Sequence, residues 1–435
     1  NSSERWQTSG HIVFNNLGWL ARRYEPFFST GPDFESDESL RRYGVTTRTH
    51  FDAVGREIRV DLPNGTYITN AYSAWETRHS DQNDNVVGSA YERERNALPA
   101  AHPERVALDR SREHRQTPTI IELDNLGRAF KQRTLAERGG AEIATTTTFG
   151  PSGLADRVVD ARGLEVFSYT YDMLGRTHFE HSVDAGDRWT LLNCHGRSVH
   201  QWDARGIHTR FQYDRLGRHT ETIVDGALGL NNTVERLVYG DNPVVAQAAA
   251  RNARGRVVKH YDDAGVRFVD RYQMDGAAID TRRSLCTAYK TTVDWSAPGS
   301  VGLEAGSHRS RYWFDGLGRL VAHAPPDGTT RRYAHDALGF VAEVQLSTAD
   351  GQLDRRVIAT GITTNARGQR TRVQLGNGVE SIYDFDDRTF QLERLRTRQA
   401  VGVARGYQDI GYTYDPVGNI VRLLDAAQGP GSTSV

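Results

Sequence analysis

Tyr171-Asp172-Met173-Leu174-Gly175-Arg176 and Tyr213-Asp214-Arg215-Leu216-Gly217-Arg218 are two copies of one short phrase, and that phrase decides the fold. An aromatic residue precedes Asp, two variable positions come next, and Gly and Arg close the unit. Phe51-Asp52-Ala53-Val54-Gly55-Arg56 and Phe314-Asp315-Gly316-Leu317-Gly318-Arg319 repeat it. Looser copies begin at Asn15, Asp124, Asp160, Asn193, Asp203, Asn252, Asp262, Asp336, Asn365 and Asp415, the last closing at Gly418. Asp160, Asp172, Asn193, Asp203 and Asp214 are 12, 21, 10 and 11 residues apart. One strand plus its turn takes about 10 residues, so a doubled interval implies a degenerate turn between two good ones.

The letters have physical reasons. Asp or Asn at the first turn position can accept N–H bonds from residues two or three further on. Gly at the fourth position adopts φ > 0 without a Cβ clash, giving a three-residue hairpin loop with a bulge. The structural turn residues are therefore Asp52, Gly55, Asp172, Gly175, Asp214, Gly217, Asp315, Gly318, Asp415 and Gly418. The aromatic residue and the Arg of one turn are expected to meet across the ladder, ring under guanidinium. A second turn type is expected at Pro63-Asn64-Gly65, Pro326-Asp327-Gly328 and Gly376-Asn377-Gly378, where Asn-Gly and Asp-Gly favour type I′ loops.

The implied fold class is all-β, mainly antiparallel: a repetitive hairpin strip with small helical insertions, continuous over residues 1–435. Insertions are placed at about 86–118 and 226–251. Pro103 at a helix start and good helix formers after it predict a helix near 102–116, with a shorter turn over Tyr91–Asn96. A further short helix is expected at Val245–Ala250. Residues 428–435 read as a frayed end, and the chain as a piece of something longer.

Composition narrows the function. Lys+Arg 54 against Asp+Glu 55 leaves a net charge of -1, with both signs interspersed. No basic stripe offers phosphates a track, which argues against nucleic-acid binding and against docking on an anionic membrane. Nearly all cations are arginines, which pair bidentately with carboxylates and stack on tyrosines. Two cysteines, Cys194 and Cys286, are too few for a disulfide framework.

The Tyr-Asp-x-x-Gly-Arg units resemble RHS/YD repeats, found in teneurins and in bacterial polymorphic toxins. Longer blocks resemble the RHS region of the B component of insecticidal toxin complexes. These include Arg23-Tyr24-Glu25-Pro26-Phe27-Phe28-Ser29, His260-Tyr261-Asp262-Asp263-Ala264-Gly265-Val266, Thr292-Val293-Asp294-Trp295 and Tyr414-Asp415-Pro416-Val417-Gly418-Asn419-Ile420. In that family, B and C components wind one β strip into a hollow shell. The shell holds an unfolded toxic domain until delivery through the A-component channel. The resemblance implies a structural wall, a secreted toxin assembled in the cytoplasm, and as partners the remaining C-type shell and the enclosed effector. No propeller, autoproteolytic segment or effector is recognised in this sequence, so no family active-site residue carries over. The competing reading is a teneurin-like adhesion module.

Features that suggest chemistry have simpler readings. His178, His181, His195, His200, His208 and His219 crowd one stretch, but without tight metal-ligand spacing. Cys194 and His195 are adjacent, so on a strand they would point to opposite faces, and no orienting group accompanies them. The repeated aspartates lack the alternation and closing Glu of an EF-hand. Asp33, Glu35, Asp37 and Glu38 read as a solvated acidic loop. No enzyme activity, catalytic residue, cofactor or metal site is expected.

Overall fold

The computed structural model describes residues 6–42, 44–226, 229–401, 405–428 and 433–434. Strands take 49% of the chain and helices 7%. Residues 1–146, 334–344 and 357–435 form one compact unit, and residues 147–333 and 345–356 a second.

In the second unit, consecutive strands pair antiparallel in chain order. Glu165–Tyr171 pairs with Thr177–Ser182, then come Gly186–Leu192, Ser198–Trp202, Ile207–Tyr213, His219–Gly226 and Asn231–Tyr239. Turns therefore alternate between the two ends of the strands. The turns at Asp172, Asn193 and Asp214 share one end; those at Asp160 and Asp203 lie at the other. The 21-residue interval is one strand out and one strand back, with the degenerate turn of residues 183–185 between. In the first unit, Ile12–Phe14, Leu20–Tyr24, Thr46–Phe51, Glu57–Asp61, Tyr67–Tyr72 and Glu76–Ser80 are laid down the same way.

Most strand residues are only half-buried. The chain keeps 26052 Å² of accessible surface. A globular protein of 48.6 kDa would keep about 17,000 Å². The excess means that most of the sheet is a single layer with solvent on both faces. Trp189 and Trp202, directly opposite each other across one ladder, are both exposed on the same face.

A core forms where connections fold back on the sheet. In the second unit, residues 240–256 bury Ala253 against Val258, Val269 and Tyr272. Residues 286–307 bury Val293 and Trp295 against Val266 and Cys286. Val266 and Val269 are three apart on one strand and so face opposite ways, which gives the sheet cover on both sides here. In the first unit, helices α2 (Ala90–Asn96) and α3 (Pro103–Ser111) enclose Val86, Tyr91 and Leu108. Ser89 caps α2, and His102 caps α3 with Pro103 in its first turn.

Four local expectations are corrected. Residues 245–250 form turns, not a helix, because Gln247 (φ 54) and Asn252 (φ 51) sit in the left-handed region and break any helical run. The stretch 226–251 contains the long strand Asn231–Tyr239, and the connection proper is 240–256. The acidic segment is only partly the solvated loop expected: Asp33 and Glu38 are exposed, whereas Asp37 is half-buried. Ser36 caps a short helix, α1 (Asp37–Leu40), and Asp37 accepts hydrogen bonds from Arg22 and from the Tyr24 hydroxyl. The Asn64-Gly65, Asp327-Gly328 and Asn377-Gly378 turns are not type I′, which needs φ > 0 at both central residues. Only Gly65, Gly328 and Gly378 have positive φ. Where Pro63 and Pro326 stand at the second turn position, their fixed φ excludes type I′, and Asn64 and Asp327 without positive φ leave type I. The expected frayed end, 428–435, lies mostly outside the described residues.

Candidate functional site, a repeated turn and the strand end it closes

The repeated unit is a closed set of hydrogen bonds. The Asp172 N–H donates to the Arg176 carbonyl at 2.9 Å, and the Gly175 N–H to the Asp172 carbonyl at 2.9 Å. Asp172 Oδ1 accepts from the N–H groups of Leu174 (2.9 Å) and Arg176 (3.0 Å), and its Oδ2 accepts from Arg176 Nε at 2.7 Å. The donors thus lie two and four residues on, rather than two and three. Asp52, Asp214 and Asp315 repeat all three side-chain contacts. At Asp415, where Pro416 comes next, Oδ1 accepts instead from Gly418 and Asn419. Gly55, Gly175, Gly217, Gly318 and Gly418 have φ of 89, 75, 72, 77 and 110. The Arg176 N–H and guanidinium hold the Asp172 carboxyl below its ordinary pKa, and Arg319 does the same to Asp315.

The tyrosine before each turn secures the strand rather than the turn. Tyr171 donates its hydroxyl to the Ala155 carbonyl at 2.6 Å, Tyr213 to Ser198 at 2.8 Å and Tyr414 to Leu392 at 2.8 Å. Each bond crosses towards a strand laid down earlier. The expected ring–guanidinium pair within one turn is not what forms. The guanidinium of one turn instead reaches the aromatic residue that precedes the next turn at the same end. Arg56 lies 4.5 Å from the Tyr72 ring, Arg218 4.1 Å from Tyr239 and Arg256 5.3 Å from Tyr272. Arg176 also donates to the Asn193 carbonyl at 3.1 Å. The reason is local: in Arg56 and Arg218, Nε is held by the turn's own Asp, so the rest of the fork points outward along the strip, while Arg256 is held by the Asn252 and Gln273 carbonyls. A spacing of 16 or 21 residues between Arg and aromatic was the signal that could have shown this.

Among the described residues, the other features pair locally. Cys194 is exposed at the tip of the Asn193 turn, and Cys286 is buried beside Trp295. His181 pairs with Asp187 at 2.6 Å. His200 bonds His208 at 2.9 Å, and His208 in turn bonds Asp225 at 2.9 Å. Among the described residues, no group of three or more His, Cys, Asp or Glu side chains is placed to hold a metal ion.

A family model, the RHS Repeat, matches residues 314–353, which begin at the Phe314-Asp315 turn and include the Asp336 turn. These residues carry an RHS repeat. Two curated relatives from Yersinia entomophaga are the toxin subunits YenC2, 28% identical over 348 residues, and YenC1, 26% identical over 343 residues. Each alignment covers 72% of this chain, which spans only 35% and 34% of the relatives' length. The sequence blocks pointed to a B component, whereas these relatives carry C-subunit names. Among solved structures, the Tc holotoxin pore of Photorhabdus luminescens superposes with a TM-score of 0.86 at 24% identity. TcdB2-TccC3 gives 0.85 at 24%. Both cover 97% of this chain and 20% of the other, and the likeness establishes the fold.

Proposed function

We propose that this chain is a non-enzymatic segment of the wall of a hollow toxin-complex shell that encloses and shields an effector before delivery. The observation that carries the reading is the single-layer sheet, which leaves about half as much surface again exposed as a globular protein of its mass. A sheet stabilised turn by turn needs no thick core, and it can enclose a volume with little chain. The similarity to YenC1, YenC2 and the TcdB2-TccC3 fold supports the same reading. Its partners are the complementary RHS component, the enclosed effector and, through other regions, a channel-forming component. Its place of action is outside the producing cell.

The test is protease protection. The chain is co-produced with its complementary RHS component carrying an effector segment, and the complex is digested. The effector is expected to survive under conditions that degrade it when free. Equal digestion rates would sink the containment reading. Saturable binding of the isolated chain to cell surfaces or glycans would favour the adhesion module instead.

A further inference from the structure

The position just before the turn glycine carries a signal that the turn does not need. In unit 2 it is Leu174, Leu216 and Leu317 at one end of the strands, where Ser152, His195, Arg254 and Asp275 hold the same position in the other turns. In unit 1, Leu17, Val54 and Leu126 occupy it. A type I turn accepts most residues there, and polar ones are the common choice at an exposed tip. These side chains are among the most exposed apolar groups of the chain, from 60% for Leu17 to 78% for Leu317.

The opposite strand ends provide the control. The Asp160 and Asp203 turns have the same hydrogen-bond pattern, with Asp160 Oδ1 accepting from residues 162 and 164 and Asp203 Oδ1 from 205 and 207. Their residues before the glycine are Arg162 and Arg205. In unit 1 the corresponding position of the opposite-end turn at Gly65 is Asn64. Turn geometry is therefore shared by both ends, and the aliphatic tips belong to one.

Unit 1 also shows what such an end packs against. Its late turns at Asn365, Asp386 and Asp415 meet connections that leave the opposite end of its early strands. Arg367 pairs with Glu25 at 3.3 Å, Arg388 with Glu94 of α2 at 3.1 Å, and Asn83 donates to Asp415 at 3.4 Å. Ala366, at a turn tip, is buried there, and Val417 falls to 39% exposed. Contact between turns at one strand end and connections leaving the other is one that unit 1 already uses.

We propose that the aliphatic-tipped end of the uncovered strands is a docking surface for the opposite, polar-tipped and insertion-bearing end of an RHS strip in the complementary shell component. The inference rests on the shell reading and extends the contact seen within unit 1 to a second polypeptide. The leucines supply apolar contact that excludes water from the seam, and the charged groups beside them set its register.

The test uses the chain with Leu174→Asp, Leu216→Asp and Leu317→Asp combined, and its Leu→Asn counterpart should the Asp variant fail to fold. Alone, the variant is expected to keep the circular dichroism and melting temperature of the wild type, because the exposed tips contribute little to the unit's own packing. Its affinity for the complementary RHS component is expected to fall at least tenfold, with Leu→Ala giving a smaller drop. Unchanged affinity in a folded variant overturns the docking surface while leaving containment standing, provided the wild-type complex still protects the effector. A wild-type chain that protects no effector yet loses component binding on Leu→Asp would fail the shell reading alone. Concentration-dependent self-association abolished by Leu→Asp, with component binding intact, would assign the edge to a second copy and overturn the proposal.

Discussion

Two glycines with positive φ separate the cost of backbone strain from the cost of space. At Gly318 (φ +77) an added Cβ would meet nothing within 4 Å. Gly318→Ala therefore isolates the left-handed penalty, about 1–2 kcal/mol. At Gly265 (φ +134) the Cβ would lie 2.1 Å from the Ser284 carbonyl oxygen and 3.0 Å from Leu285 Cα. Both are ladder atoms of the partner strand and cannot swing aside. Gly265→Ala must therefore cost more than Gly318→Ala, by displacing the pairing of Gly265–Tyr272 with Ala278–Leu285. Hydrogen exchange read strand by strand is the suitable assay, since repeat arrays open locally. For Gly318→Ala, protection in His308–Phe314 and Leu320–Ala324 is expected to fall roughly 5–30-fold, the equivalent of 1–2 kcal/mol. Gly318→Asn should lose less, because Asn tolerates the left-handed region. If Gly318→Ala leaves those strands unchanged, or if Gly265→Ala is the milder of the two, the reasoning from turn geometry is wrong.

Three further outcomes are expected. Trp295 is fully buried and donates its indole N–H to the Asp262 carbonyl at 3.0 Å, so Trp295→Ala should cost about 3–5 kcal/mol and expose residues 286–307 to proteolysis before the rest of unit 2. The turn carboxyls of Asp52, Asp172 and Asp315 are held below their ordinary pKa, chiefly by the N–H of the Arg four residues on. Their contribution is present above the unfolded value of about 3.9 and is lost as pH falls through the lower folded value, so hairpin protection should hold from neutral pH to about 4 and decline gradually below it; flat protection down to pH 2 would contradict this. Iodoacetamide should label Cys194 in the native chain and leave Cys286, buried and with its thiol pKa pushed up by burial, unlabelled until denaturation, as mass spectrometry would show.

The hairpin strip was legible because each turn is self-contained: Asp, Gly and Arg lie within five residues, so their spacing is their geometry. The helix at Pro103 was legible for the same reason. The features that sequence reasoning missed depend on contacts remote along the chain. Trp295 becomes core only because residues 286–307 fold onto Val266, and no local pattern announces that. The failed helix at 245–250 shows the limit of propensity, since three consecutive alanines yield to a left-handed Gln247 when a connection must turn back on Tyr272. The guanidinium contacts were missed because they join one turn to the next. The aliphatic tips stand in the best copies of the motif, but their meaning required knowing which strand end each turn closes.

The alternation of strand ends restricts how such a chain can grow or shrink over evolutionary time. Deleting a single strand with its turn would reverse the direction of every strand after it. Leu216 and Leu317 would then move to the end now occupied by Arg162 and Arg205, and the guanidinium whose ring lies across the deletion would lose it. Length changes that keep the molecule working must come as whole out-and-back pairs, roughly 21 residues at a time, the interval seen between Asp172 and Asn193. Connections such as 240–256 and 286–307 escape that quantum, because a loop can lengthen without altering the direction of the strands after it. Lineages of this protein should therefore differ freely in their connections and in steps of two strands along the strip, and an odd count should appear only beside a rebuilt edge.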